Sequence, residues 1–341
     1  MPPLILVNEA REARFSMAAM AQIAIIGGGA FGTAMACVLR RAGHGIALWA
    51  REPEVVAAVN RESRNPLFLS GVQLAPGIAA SADLGVALDG AEVVLLAPPA
   101  QHMRSVSRSL QGHLGARTPL VSCSKGIERG SLALMPEVLA ETLPGCPLAV
   151  LSGPSFAREI AQGLPCGVAL ACADPALAMR LARTLASPSF SVHPTTDVTG
   201  AALGGVMKNV IAIASGIAAG RRLGENARAT LITLGLEETL NLGAAMGARP
   251  GTFFGLAGVG DMMLSANSMT SRNTALGCAL GEGRRPAEST LAEGLYSTAA
   301  VATLARRLDV RMPITFALDG VLSHGTPLDA AIGAMLGSAP H

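Results

Sequence analysis

Hydrophobic positions along the chain fall into two textures. From Gln22 the pattern reads strand, helix, strand. Ile23–Ile26 is a short apolar run ending in glycines, a small-residue helix follows from Ala30 to Ala42, Gly43 closes it, and Ile46–Ala50 forms the next strand. Further apolar runs bounded by turn residues lie at Val93–Ala97, Leu120–Ser122, Leu148–Ser152 and Gly167–Ala173. Runs without polar alternation suit central parallel strands covered on both faces. Their alternation with helices predicts a doubly wound α/β sheet. Beyond His193-Pro194 long helical patterns take over, at Val198–Ala219, Ala227–Met246 and Leu291–Leu308, with Val206, Val210, Ile213 and Ile217 at helical spacing. The expected organisation is an N-terminal extension over 1–20, an α/β domain over 21–193 and an all-helical domain over 194–335.

The first strand runs straight into Gly27-Gly28-Gly29-Ala30-Phe31-Gly32, a G-x-G-x-x-G pattern. Gly27 allows a tight turn, Gly29 a close backbone approach to a pyrophosphate, and Gly32 the packing of helix on strand. The helix that follows presents free N–H groups and a positive dipole end to phosphates. Strand before, helix after and a second strand beyond are the context that makes this a dinucleotide-binding loop of the Rossmann type. The second strand ends Leu48-Trp49-Ala50-Arg51, so its tip is cationic. An acid there would grip the ribose hydroxyl of NAD, whereas Arg51 suits the 2′-phosphate of NADP. NADP(H) is therefore favoured, and Glu52, one residue on, keeps NAD(H) as the alternative.

Composition narrows the remaining classes. The chain has 341 residues, 50% hydrophobic and 15% charged, with a net charge of +2 and 3% aromatic. So weak a field and so few rings give no footing for nucleic acid. Mean hydropathy is +0.44, but no run reaches the ~20 uninterrupted apolar residues of a membrane span. Val93–Ala97 stops at Pro98-Pro99, and Val210–Ala219 is bounded by Lys208 and Arg221-Arg222. The six cysteines have neither C-x-x-C nor zinc spacing, which reads as buried thiols in a reducing cytoplasm. The six histidines are scattered, and neither a metal nor a signal peptide is expected.

Reducing a ketone requires, besides hydride, a proton donor, a polarised carbonyl and a grip on the rest of the substrate. Ser124-Lys125-Gly126 follows the Leu120–Ser122 strand, at the sheet's carboxyl edge. Gly205-Val206-Met207-Lys208-Asn209 sets a lone lysine at the start of an apolar helix, and Gly258-Val259-Gly260-Asp261 and Ser271-Arg272-Asn273 form a donor-rich loop. Burial of Lys208 would lower its pKa and fit it for acid–base work. The alternatives are a head group that snorkels to water or pairs with a structural carboxylate.

These segments, with Leu151-Ser152-Gly153-Pro154-Ser155-Phe156-Ala157, Gly255–Asp261, Glu293-Gly294 and Met312-Pro313-Ile314, resemble the bacterial NAD(P)-dependent glycerol-3-phosphate dehydrogenase family over residues 22–315. The resemblance implies interconversion of dihydroxyacetone phosphate and sn-glycerol 3-phosphate, supplying glycerophospholipid synthesis from the cytoplasm, and a homodimer. It implies that Lys208 exchanges the proton, Lys125 contacts substrate and cofactor, and Asp261 binds substrate and tunes Lys208. Gly153, Ser155, Ser271, Arg272 and Asn273 correspond to substrate positions. Ala30, Phe31, Arg51, Ala157, Arg272, Leu291 and Glu293 correspond to cofactor positions, beside Gly27, Gly29 and Gly32. The chain departs from the family at Leu234, where an arginine is common, and at Pro98-Pro99, where a Pro-Ser pair is usual. Two rivals share the layout: a ketopantoate-type reductase acting on carboxylates, and an NADP(H)-binding sensor without catalysis. The second would be expected to lack one of Lys125, Lys208 and Asp261.

Overall fold

The computed structural model describes residues 20–115, 117–284 and 292–337. The expected extension over 1–20, Met20 excepted, and the cofactor position Leu291 lie outside them.

Eight strands form one sheet in the order β3-β2-β1-β4-β5-β6-β7-β8. They are β1 (Gln22–Ile26), β2 (Gly45–Trp49), β3 (Ile78–Ser81), β4 (Val93–Leu96), β5 (Leu120–Ser122), β6 (Leu148–Ser152), β7 (Cys166–Cys172) and β8 (Phe190–Thr195). From β3 to β6 all pairings are parallel, so β1, β4, β5 and β6 end on one edge. The order reverses between β1 and β4, which opens a crevice where ligands bind in such sheets. The strand predicted over Gly167–Ala173 is β7, but it runs antiparallel to β6. Burial on both faces governs its apolar run, and burial carries no information about direction.

The return from β6 to β7 needs a sharp reversal at Gly153, which has φ +145; a Cβ there would lie 3.0 Å from the Cα of Val168. A side chain fits neither that backbone angle nor that space. The reversal keeps Gly153 and Ser155 at the carboxyl edge and leads into the Ala157–Ala161 helix, which packs on the Ala30–Arg41 helix.

Strand structure ends at Thr195, and from Val198 the chain is helical. The Val198–Gly220 helix is the axis of this half, in contact with the Gly224–Ala245, Asp261–Ala266, Arg272–Gly281 and Glu293–Arg307 helices and with β6 and β7. A Cβ at Gly216 would strike the carbonyl oxygen of Thr274, and one at Gly277 that of Ile213, so two helices meet backbone to backbone. This 23-residue helix is long and apolar enough to cross a membrane, although no run in the sequence suggested it. Its most apolar stretch is 89% buried by the rest of the chain, the condition of a core helix.

Two sequence expectations change here. Lys208 stands in the middle of the Val198–Gly220 helix, where the predicted Val198–Ala219 bounds place it, and not at the start of an apolar helix. The loop expected over 258–273 is instead mostly helical. A π-turn over Leu256–Gly260 leads into Asp261–Ala266, and Ser271 caps Arg272–Gly281.

Candidate active site

The glycine loop lies at the crevice. Gly27 has φ +123, and a Cβ on it would lie 2.8 Å from the carbonyl oxygen of Ala97. Around Gly29 nothing lies within 4 Å of a built Cβ, so the loop is open on that side. A Cβ at Gly32 would collide with the Gly27 carbonyl oxygen. Gly29 caps the Ala30–Arg41 helix without any side-chain acceptor, and the first intrahelical donor is Thr33 N–H to Gly29 O at 3.0 Å. The amides of Ala30, Phe31 and Gly32 thus precede the helix's first internal donor, the donor set that a pyrophosphate takes at a helix N-terminus. The residues fit a dinucleotide.

Around this opening, loops from the sheet edge meet the helical half. Lys125 follows β5 and Gly153 follows β6. The Lys125 ammonium donates to Gly153 O at 2.8 Å and to Asp261 Oδ2 at 2.5 Å. The Lys208 Nζ stands 3.1 Å from Asp261 Oδ1 and donates to Ser265 Oγ at 3.0 Å. One carboxylate is therefore shared by two ammonium groups, drawn from segments 53 to 136 residues from it.

The Asp261 side chain is 1% exposed, those of Lys125 and Lys208 15% and 16%. Burial raises the Asp261 carboxyl, but the Lys125 and Lys208 charges outweigh it and hold the pKa below the ordinary value. Burial pulls the Lys208 pKa down, the Lys125 charge adds to that, and Asp261 opposes it without cancelling it. An ammonium has three donors. Each lysine spends two on the contacts above, which leaves one apiece.

The other expected residues fall into three groups. Ser155 Oγ donates to Gly153 O at 2.9 Å, in the same loop. Arg272 is exposed at the first position of its helix. Ser271 Oγ accepts from Thr274 N–H at 3.4 Å as that helix's cap, and its own hydrogen has no acceptor among the described residues. The Asn273 amide is mostly occupied, donating to Asn209 Oδ1 at 2.8 Å and accepting from Gly294 N–H at 3.0 Å. Glu293 accepts from Ala100 N–H at 3.1 Å beside β4, and burial raises its carboxyl pKa against the pull of that N–H and of Arg272. Arg51 is 79% exposed at the end of β2, its guanidinium 3.0 Å from Glu52 Oε1. Ala157 opens its short helix against the cofactor helix.

Two residues of this constellation carried no sequence expectation. Asn209 donates to Lys125 O at 3.1 Å, tying the sheet-edge loop to the Lys208 helix. Ser265 sits four residues after Asp261, a spacing that puts both on one helical face. That spacing was the available signal, had the segment been read as a helix. His44, by contrast, is a satisfied core residue, with Nδ1 accepting from Ala21 N–H at 3.2 Å and Nε2 2.8 Å from Thr184 O. All six cysteines are free thiols.

Two family models match the chain: NAD-dependent glycerol-3-phosphate dehydrogenase N-terminus over residues 22–178, and the C-terminus of the same enzyme over 197–333. The chain belongs to this family. A glycerol-3-phosphate dehydrogenase (NAD(P)+) from Rhodospirillum rubrum is 51% identical over 319 residues, covering 92% of this chain and 91% of that one. A namesake from Caulobacter vibrioides is 47% identical over 92% of this chain and 96% of its own. The crystal structure of the Coxiella burnetii glycerol-3-phosphate dehydrogenase superposes with a TM-score of 0.88 at 36% identity, covering 93% of this chain and 99% of that one. A ketopantoate reductase from Ralstonia eutropha reaches a TM-score of 0.59 at 19% identity, over 92% of this chain and 99% of that one, a likeness of fold alone.

Proposed function

We propose that the chain catalyses the reversible NAD(P)H-dependent reduction of dihydroxyacetone phosphate to sn-glycerol 3-phosphate. The observation that carries this reading is the carboxylate of Asp261 shared by Lys125 and Lys208, with Lys125 on the sheet edge from which the glycine loop also springs. Family membership supports it. Residues 21–193 would hold the cofactor and 194–335 most of the substrate.

A nicotinamide cofactor bound along the glycine loop supplies the hydride to the ketone carbon, or accepts it from the alcohol. The protein's part is charge and proton. As the ketone oxygen gains negative charge, the spare N–H of Lys125 polarises it and Lys208 delivers a proton to it; in the alcohol direction Lys208 takes the proton back. Asp261 keeps two adjacent cations compatible before substrate arrives. The exposed Arg272, with Ser271 and Asn273, grips the phosphate dianion, and Gly153 and Ser155 line the opposite side.

Arg51 reaches the 2′-phosphate of NADP(H), which makes NADP(H) the preferred cofactor and NAD(H) the lesser one. Glu52 tempers that preference by pairing with Arg51. Cytoplasmic residence, a homodimer and supply of glycerophospholipid synthesis are carried over from the family, and size-exclusion chromatography tests the dimer. Steady-state oxidation of NADPH and NADH with dihydroxyacetone phosphate and with 2-ketopantoate tests the whole reading. Turnover confined to the phosphorylated ketone is expected. Preference for ketopantoate would replace this reading with that of a carboxylate reductase, and cofactor binding without turnover of either would indicate a sensor.

A further inference from the structure

The turn that follows the Pro53–Glu62 helix sends one amide side chain into the back of the glycine loop. Asn65 is fully buried. Its Nδ2 donates to Gly28 O at 2.8 Å and to Thr33 Oγ1 at 2.8 Å, and Thr33 Oγ1 donates in turn to Gly28 O at 3.2 Å. Its Oδ1 accepts from Phe68 N–H at 3.1 Å, and its carbonyl from Leu69 N–H at 3.1 Å. The amide is nearly saturated, and it is held by backbone on both sides.

The consequence concerns one peptide plane. In a trans peptide the carbonyl and the following N–H point in opposite directions. With Gly28 O drawn inward by two donors, the Gly29 N–H turns away from Asn65, and Gly29 is the residue around which the loop is open. Both residues flanking that plane are glycine, so neither opposes a peptide flip by side-chain sterics. A flipped plane would aim a carbonyl oxygen, with its partial negative charge, toward the opening. An anion there would then meet repulsion where it should meet a donor.

We propose that Asn65, through Thr33, is a positioning residue that locks the Gly28–Gly29 peptide in the anion-accepting orientation. The inference rests on the reading of this loop as the cofactor's phosphate cradle. The residue touches neither substrate nor cofactor; it acts through the loop.

The test uses the full-length protein with Asn65→Ala and, separately, Thr33→Val, which keeps side-chain volume and removes only the hydroxyl. NADPH affinity is read by fluorescence titration in the absence of substrate, and KM for dihydroxyacetone phosphate and kcat at saturating NADPH by steady-state assay. Two lost hydrogen bonds of ordinary net strength predict that Asn65→Ala raises the NADPH Kd by roughly 10–30-fold. Thr33→Val should raise it by roughly 3–10-fold, with kcat and substrate KM within about threefold of the parent in both cases. If Asn65→Ala fails to fold, Thr33→Val carries the test alone. An NADPH Kd within about twofold of the parent in every variant that folds overturns the proposal. So does a substrate KM that rises in step with the cofactor Kd, since that indicates general damage. A parent protein that binds no NADPH overturns the cofactor reading itself, and this inference with it.

Discussion

Replacing Asp261 by Asn removes one charge and almost no volume from the centre of the site. The Asp261 carboxylate stands 2.5 Å from the Lys125 ammonium and 3.1 Å from that of Lys208. At an effective dielectric near 20, each attraction is worth roughly 5–7 kcal/mol before the cost of desolvating the charges is subtracted. Breaking a buried pair by neutralising one member costs about 3–5 kcal/mol, and here two cations lose their partner at once. If most of that loss is felt where charge develops on the substrate oxygen, kcat/KM for reduction falls by roughly 10²–10³-fold. The pH dependence supplies a second, signed readout. Burial depresses the Lys208 pKa and Asp261 is the main influence raising it. In Asp261→Asn the pKa drops further, so the protonated donor is lost at lower pH. The alkaline limb of the reduction profile should therefore move toward acid. Cofactor oxidation with dihydroxyacetone phosphate, followed by absorbance across the neutral and alkaline range, measures both effects. An alkaline limb that stays put or moves the other way would refute the coupling of Asp261 to Lys208.

Two further predictions address cofactor choice and stability. Arg51→Ala should raise KM for NADPH about tenfold or more while leaving that for NADH nearly unchanged, as expected when one charge-assisted contact to a phosphate is lost; equal losses with both cofactors would remove Arg51 from the 2′-phosphate. Glu238 is buried and receives the Ile314 and Thr315 N–H groups and the Thr315 hydroxyl at the start of the Pro313–His324 helix. Burial outweighs these donors and pushes its carboxyl up to about 7 from 4.5. Between those values the folded state holds a proton that the unfolded chain releases, so this contribution to stability is full below about 4.5 and is lost as pH rises through about 7. Thermal melting of Glu238→Gln should show a flatter dependence on pH over that interval than the parent, and an unchanged slope would assign the dependence to other groups.

What the sequence made legible follows from what hydrophobic patterning can encode. Six strands announced themselves as apolar runs because both sheet faces are covered. β3 and β8 did not, being edge strands with half-exposed or polar positions, and β8 carries Pro194, which an edge strand tolerates. The reversal of β7 was invisible because pairing direction leaves no trace in burial. The helices flanking Asp261 were read as loop since Gly255, Gly258 and Gly260 punctuate the segment and the helices are short. Lys125, Lys208 and Asp261 could be named from their motifs, yet nothing in one dimension shows that a single carboxylate serves both lysines. Asn65 had no signature either. Its partners are mainly backbone atoms and its neighbour is a proline, so nothing in the sequence set it apart.

The central claim is that Lys208 exchanges the proton at a site where the cofactor binds independently of it. Lys208→Ala, assayed for dihydroxyacetone phosphate reduction at saturating NADPH, tests it most directly. The account predicts that kcat falls by about 10²-fold or more while the NADPH Kd, titrated without substrate, stays within about twofold of the parent. A loss in kcat smaller than about tenfold, with the variant properly folded, would contradict it.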